Sequence, residues 1–267
     1  MPGRLPLTTA CAIPVVLLLL LPGAASAAER DATLAGDRLA IDLACVRTVE
    51  IQPDSGLHDS IVVHATADHP EELDRLVLEQ QDGARVRETP GPCWQPAGNP
   101  LKQSTVVLRV RIPSRTPLSV DASGAATYAI GDTGGPLRLD LSGSEILTAG
   151  AVGPLQAELS GDGRARIAGV EGDARVELSG SGQVVVGQGQ IDRATLEVSG
   201  SGGIRIGGSI DTASASVSGS GTIALAHVAG ALSRDISGTG SISVGNRPAP
   251  GNRPASGAGG EPATSED

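Results

Sequence analysis

The sequence predicts an all-β chain, a right-handed parallel β-helix (a solenoid) with rungs of about 19 residues, and three observations predict it. A Ser-Gly turn recurs seven times at near-constant spacing. Aliphatic and polar residues alternate on both sides of each turn. Aromatic residues, which centre ordinary cores, are nearly absent: the 267 residues include 37 glycines, no Phe, one Trp and one Tyr. Small aliphatics must therefore fill the interior. The strict alternation of Val, Ile and Leu separates this chain from Gly-rich disordered sequences, which lack it.

Aligned on the serine between an apolar residue and a glycine, the copies begin at Ser123, Ser142, Ser160, Ser179, Ser199, Ser218 and Ser237, spaced 19, 18, 19, 20, 19 and 19. Side chains alternate along a strand, so columns can be assigned to faces. The column from Ala122 to Ile236, just before the serine, points inward, as does the one from Val120 to Arg234. After the turn, the columns from Tyr128 to Ile242 and from Ile130 to Val244 point inward on a second strand. Gly follows the serine in all seven copies, which marks a corner needing positive φ or close backbone approach. Any Cβ there is expected to strain the corner. A rung of this length holds three strands of four or five residues, too few for a helical crossover or a propeller blade. Seven rungs stacked at about 4.8 Å make a rod of roughly 34 Å.

The ends of the chain read differently. Residues 1–27 have the form of a secretory signal: Arg4, an apolar run from Ala12 to Leu21 and a small-residue exit at Ala25-Ser26-Ala27. The run is too short to span a bilayer, and no transmembrane segment is expected in the mature chain. Cys11 precedes the apolar run, so lipid attachment is not expected. Loss of Arg4 leaves 19 basic against 30 acidic residues, a net charge of −11. Such a surface repels nucleic acid and anionic lipid.

The remainder reads as a single domain over residues 28–247, with N-terminal strands and cap over 28–117, Ser-Gly rungs over 118–245, and a disordered tail over 248–267. Within the cap region, strands are expected at Leu39 to Cys45, Val49 to Ile51 and Ile61 to Ala65. Asp68-His69-Pro70 opens a short helix over Glu71 to Leu76, and Asp82-Gly83 turns a hairpin before Arg85 to Glu88. In an oxidising compartment Cys45 and Cys93 most simply form one disulfide, tying down a loop that holds Trp94 and Pro96. Arg234 replaces an inward aliphatic in the last copy, as expected where the interior meets water.

The β-rich lead-in, the segment Val106-Val107-Leu108-Arg109-Val110-Arg111-Ile112-Pro113, and the Ser-Gly-Ser-Gly turns at 179–182, 199–202 and 218–221 resemble those of a bacterial family, the putative auto-transporter adhesin, head GIN domain. The resemblance covers roughly residues 38–245 and implies an exported β-helical adhesin-like domain. Nothing after residue 245 has the strands of a membrane β-barrel translocator, so the chain is not expected to export itself.

Seven equivalent serine nucleophiles would need seven bases, and the chain has four histidines, His58, His64, His69 and His227. The serines therefore read as a stacked ladder of structural hydroxyls. The histidine spacings fit no compact metal motif and read as solvent-facing. Two residues before each serine stand Asp121, Asp140, Glu158, Glu177, Glu197, Ser216 and Asp235, a column that is acidic in six of seven copies. Stacked at about 4.8 Å, neighbours repel by roughly 1 kcal/mol even in water. Arg138 and Arg175 share that face and can offset the row; Arg164, Arg166 and Arg205 lie across the turn. The row reads either as a solubilising stripe that blocks lateral association or as a cation site or recognition face for a basic partner. Calcium-binding Gly-Gly-x-Gly-x-Asp repeats do not occur as a series, and no cofactor or catalytic residue is expected.

Two classes of function follow. One is a non-catalytic exported structural or interaction domain of the bacterial envelope or surface, meeting a protein or glycan partner and no nucleic acid. The alternative is a polysaccharide lyase or hydrolase built on the same fold. Against it, the acids form a uniform stripe instead of a facing pair, and the aromatic platforms of sugar clefts are missing.

Overall fold

The computed structural model describes residues 27–80, 82–91, 93 and 104–245. The signal-like segment (Ala27 excepted), the tail and the loop positions of Trp94 and Pro96 lie outside these residues. Strands β1 (Ala28–Ala35), β2 (Leu39–Leu43), β3 (Thr48–Pro53) and β4 (Ser60–Ala67) precede one helical turn, α1 (Pro70–Leu73). Strands β5 (Leu76–Gln80), β6 (Ala84–Glu88) and β7 (Val107–Ile112) complete the lead-in. The coil proper comprises β8 (Leu118–Ala122), β9 (Thr127–Ile130), β10 (Leu137–Leu141), β11 (Ile146–Val152) and β12 (Leu155–Gly161). It continues through β13 (Arg164–Gly180), β14 (Gln183–Gly200), β15 (Gly203–Gly219), β16 (Thr222–Val228), β17 (Leu232–Gly238) and β18 (Ser241–Val244).

These 18 strands form one hydrogen-bonded sheet wound into a parallel β-solenoid. On face A, before the Ser-Gly corner, Leu141 lies opposite Leu159, Leu159 opposite Leu178 and Leu178 opposite Val198. On face B, after the corner, Leu147, Ala165, Val184 and Ile204 stack in the same way. All are buried, and each larger aliphatic contributes about 1.5–3 kcal/mol by leaving water. A third face, C, closes the coil with Val152 opposite Val170 and Ile191 opposite Ile210.

β8, β9 and β10 are the separate four- or five-residue pieces expected from the spacing, but the strands of the middle rungs are not. Inter-rung hydrogen bonds persist around corners, so β13, β14 and β15 run for 17, 18 and 17 residues. The 20-residue interval between Ser179 and Ser199 is a bulge, marked by a register shift between Gly172 and Ala174 where β13 meets β14. The Ser-Gly corner behaves as the sequence requires. Gly180 has φ +128°, and a Cβ on it would sit 2.6 Å from the Gly161 carbonyl oxygen of the rung below.

The N-terminal levels are stacked out of chain order. β2 lies between β6 and β8, and β3 between β7 and β9, all parallel. The first rung in sequence is thus the second in space. Below it the pairing turns antiparallel, with β4 on β7, β1 on β4 and β5 on β6. The β5–β6 hairpin turns at Asp82 and Gly83 as expected, both with positive φ. α1 is shorter than the expected Glu71 to Leu76, because Leu76 is already paired with Glu88 in the hairpin. Its N-cap is His69, without a side-chain capping bond. Buried Glu72 ties this turn to the returning chain, accepting from Ser104 Oγ at 2.9 Å, Thr105 N at 2.8 Å and Thr105 Oγ1 at 2.7 Å. Cys45 and Cys93 form the expected disulfide.

The far end has no such cover among the described residues. Inward-phase Arg234 and Ile236 of β17 are exposed, Ile236 to 46%. Arg234 thus stands at the open end of the coil, where an inward-pointing charge also discourages edge-to-edge pairing.

Candidate functional site

Parallel, in-register pairing converts each sequence column into a straight row on the surface. Asp121 lies opposite Asp140, Asp140 opposite Glu158, Glu158 opposite Glu177 and Glu177 opposite Glu197. Ser216 then separates Glu197 from Asp235. The row also extends one level below the repeat, to Asp42 opposite Asp121, and ends at Arg87 opposite Asp42. Sequence reading missed Asp42 because its rung lacks the Ser-Gly turn used for alignment.

Two arginines partly neutralise the row, as their shared face suggests. Arg138 Nη2 donates to Glu158 Oε1 at 3.3 Å, and Arg175 pairs with Glu177 on its own strand. Gln156 Nε2 adds a bond to Glu158 Oε1 at 3.1 Å. Among the described residues Asp121 has no such partner. Partial desolvation on the strand, then Asp140 and Asp42 on either side, push its carboxyl above its ordinary range, with Arg138 opposing. Arg164, Arg166 and Arg205 are exposed on face B.

A single file of carboxylates offers an ion too few oxygens for the six to eight that calcium takes. Among the described residues no His, Cys, Asp and Glu side chains gather in threes as a metal site. Asp31 Oδ1 instead takes up His64 Nδ1 at 2.7 Å across β1 and β4. Five of the seven serines stack in exposed register, from Ser160 through Ser179, Ser199 and Ser218 to Ser237 in the upper rungs. They are not a chain of linked hydroxyls. Ser142 Oγ reaches the Ala122 carbonyl at 3.4 Å, while the hydroxyl-to-hydroxyl contact, 3.2 Å, lies in the next column between Ser201 and Ser220.

Two grooves run along face A. The smaller, about 310 Å³, lies between the acidic row and the serines, from Asp140 to Ser218. The larger, about 910 Å³, follows the corner where face C turns into face A and excludes the acidic row. Its floor includes Pro117, Pro136 and Pro154, one per rung. Their carbonyls accept from Leu39, Leu118 and Leu137 N–H at 2.9–3.0 Å, and proline itself has no N–H left to satisfy. Along the wall stand Ser119, Arg138, Gln156, Arg175 and Thr195, in register on five consecutive rungs. The bulge after Gly172 brings Arg193 to the far end. At the near end Glu79 is held by Arg87 through bonds of 2.7 and 2.9 Å, which lower its carboxyl pKa and raise that of the guanidinium.

This proline-and-arginine wall was not singled out from the sequence, where Arg138 and Arg175 counted only as counterions. The signal was there: Pro117, Pro136 and Pro154 repeat at 19 and 18 residues, the period of the rung.

The sequence profile of the family described as putative auto-transporter adhesin, head GIN domain, matches residues 46–248. No curated protein matches at a significant level. Among solved structures, one of a protein described as a putative lipid binding protein from Parabacteroides distasonis ATCC 8503 is similar, at TM-score 0.60 and 17% identity, covering 82% of this chain and 96% of that one. A putative adhesin from Bacteroides fragilis NCTC 9343 is similar at TM-score 0.59 and 13% identity, covering 83% and 98%. At these identities the likeness is one of fold.

Proposed function

We propose that this chain, which belongs to the putative auto-transporter adhesin, head GIN domain family, is an exported, non-catalytic interaction domain of the bacterial envelope or surface that meets its partner on face A. The observation that carries this reading is the pair of grooves, about 910 and 310 Å³, flanked by straight rows of charged and hydroxyl side chains on one sheet. A solenoid holds such rows rigidly, so a long partner can be met at many equivalent points without ordering a loop. The six acids Asp121, Asp140, Glu158, Glu177, Glu197 and Asp235 serve as contacts for basic groups of the partner, a role better suited to a file of carboxylates than enclosing an ion. The disulfide, the signal-like leader and the family all support export. No helix among the described residues is long and apolar enough to cross a membrane.

Glycoside hydrolysis would instead require two carboxyl groups facing each other across a sugar, and the acids of face A stand in one file on one sheet. The test is incubation with neutral and acidic polysaccharides, following new reducing ends and the absorbance of unsaturated uronate. The expected result is binding without product. Product formation that disappears on substituting a single acid of face A would refute the reading.

A further inference from the structure

The wall of the larger groove has an order that neither packing nor solubility demands. Its column begins with Arg85 and Ala40, and on the next five rungs the outward residues are Ser119, Arg138, Gln156, Arg175 and Thr195, so that neutral hydrogen-bonding side chains there alternate with guanidinium groups, while Glu79, Asp82 and Asp173 also line the groove. Rungs are about 4.8 Å apart, which puts the two arginines about 9.6 Å apart. A pyranose in an extended chain advances by close to one rung, so two rungs match a disaccharide. Guanidinium suits carboxylate, through paired N–H donors in one plane. Hydroxyl and amide side chains suit sugar hydroxyls.

The groove also discriminates among other occupants. An extended peptide gains affinity by pairing its backbone with a free strand edge. Here the main-chain groups of the floor are already engaged between rungs, as in Leu118 N to Pro136 O and Leu137 N to Pro154 O, both 2.9 Å. Nucleic acid places a charge on every unit and meets a chain whose formal net charge is −10. A polymer with a charge on every second unit fits both the local pattern and the global repulsion.

We propose that the proline-floored groove seats an extended glycan in which neutral and carboxylate-bearing sugars alternate, with Arg138 and Arg175 each holding one carboxylate. Prolyl rings provide the apolar floor against which the sugar faces lie. Each guanidinium has five N–H donors, and Arg138 gives Glu158 only Nη2, so donors remain for a ligand on the groove side. This assignment rests on the non-catalytic reading of face A and gives the larger groove an acidic ligand of its own, separate from the basic groups met by the acidic row.

The experiment is calorimetric titration of the intact protein with hyaluronan and unsulfated chondroitin octasaccharides, with dextran and polyglutamate as comparisons. Binding to at least one octasaccharide, weakening with salt, is expected. Arg138→Gln with Arg175→Gln should weaken it roughly ten- to hundredfold while the circular dichroism melt stays in place. As a gain-of-function arm, Gln156→Arg should break the alternation and shift preference toward polygalacturonate, which is charged on every unit. The proposal is overturned if neither octasaccharide binds, if the double variant binds as the parent does, or if dextran or polyglutamate binds equally well. Recovering the ligand separates the two readings. A bound but shortened octasaccharide refutes the non-catalytic role and leaves the groove assignment standing; an intact, unbound one does the reverse.

Discussion

At the corner between faces A and B, the lead-in and the coil satisfy the same backbone groups by different means. In the lead-in the N–H groups of Ala44 and Cys45 are held by one carboxylate, Glu88 Oε2, at 2.8 and 2.7 Å. In the coil the N–H equivalent to that of Ala44 donates to the rung beneath, as from Ser142 N to Ala122 O at 2.9 Å. A repeated rung finds its partner in its own copy. A level without a copy below must be supplied with a dedicated side chain, and the lead-in has several: Glu88, buried Glu72 and the Cys45–Cys93 bond. The coil keeps this device at its first corner, where buried Glu145 Oε1 takes the Gly124 N–H at 2.6 Å, and above it relies on glycine where a Cβ would strike the neighbouring backbone.

The largest test of that contrast is the disulfide. Its cysteines are 48 residues apart in sequence, and Cys45→Ser with Cys93→Ser should cost about 2–4 kcal/mol in chemical denaturation. One cooperative transition that shifts as a whole would mean that lead-in and coil unfold together. A separate early transition would divide them. The next effect belongs to the coil alone: Gly180→Ala forces a side chain into φ +128° and against the Gly161 carbonyl. The expected loss is about 2 kcal/mol, and a melt unchanged from the parent would contradict the account of the corner.

The smallest effect sharpens the electrostatics of face A. Asp121 has its pKa raised above its ordinary 3.8, chiefly by partial desolvation and secondarily by Asp140 and Asp42. The folded protein therefore binds that proton more tightly than the unfolded chain, and ionised Asp121 costs stability at neutral pH. Asp121→Asn should stabilise at pH 7 by a few tenths of a kcal/mol at most, since solvent screens the row. That advantage should shrink as pH falls through the raised pKa toward 3.8. An advantage that grows with acidity would show the opposite sign of coupling.

Much of this architecture was legible because repetition reports geometry directly. Seven serines at a near-constant spacing gave the register of faces A and B, and the inward columns headed by Val120 and Tyr128 are buried as read, Arg234 at the open end excepted. The acidic row followed from the same alignment. Face C escaped notice because its corner varies in length, and the bulge after Gly172 offsets its apolar positions. The inverted order of the first two levels leaves no local trace: β2 carries the same alternation whether β6 or β8 lies above it. The groove was missed for a related reason. A column was sought for what its members share, and the column from Ser119 to Thr195 carries its information in alternation.

The most direct measurement of the central claim, that face A recognises a partner without transforming it, is amide chemical-shift mapping during titration with the hyaluronan or chondroitin octasaccharide. The account predicts that shifts concentrate on the groove wall, at Ser119, Arg138, Gln156, Arg175 and their rung neighbours, while the sugar signals remain those of the intact octasaccharide. Shifts gathered on faces B or C, or the appearance of shortened sugar products, would contradict it.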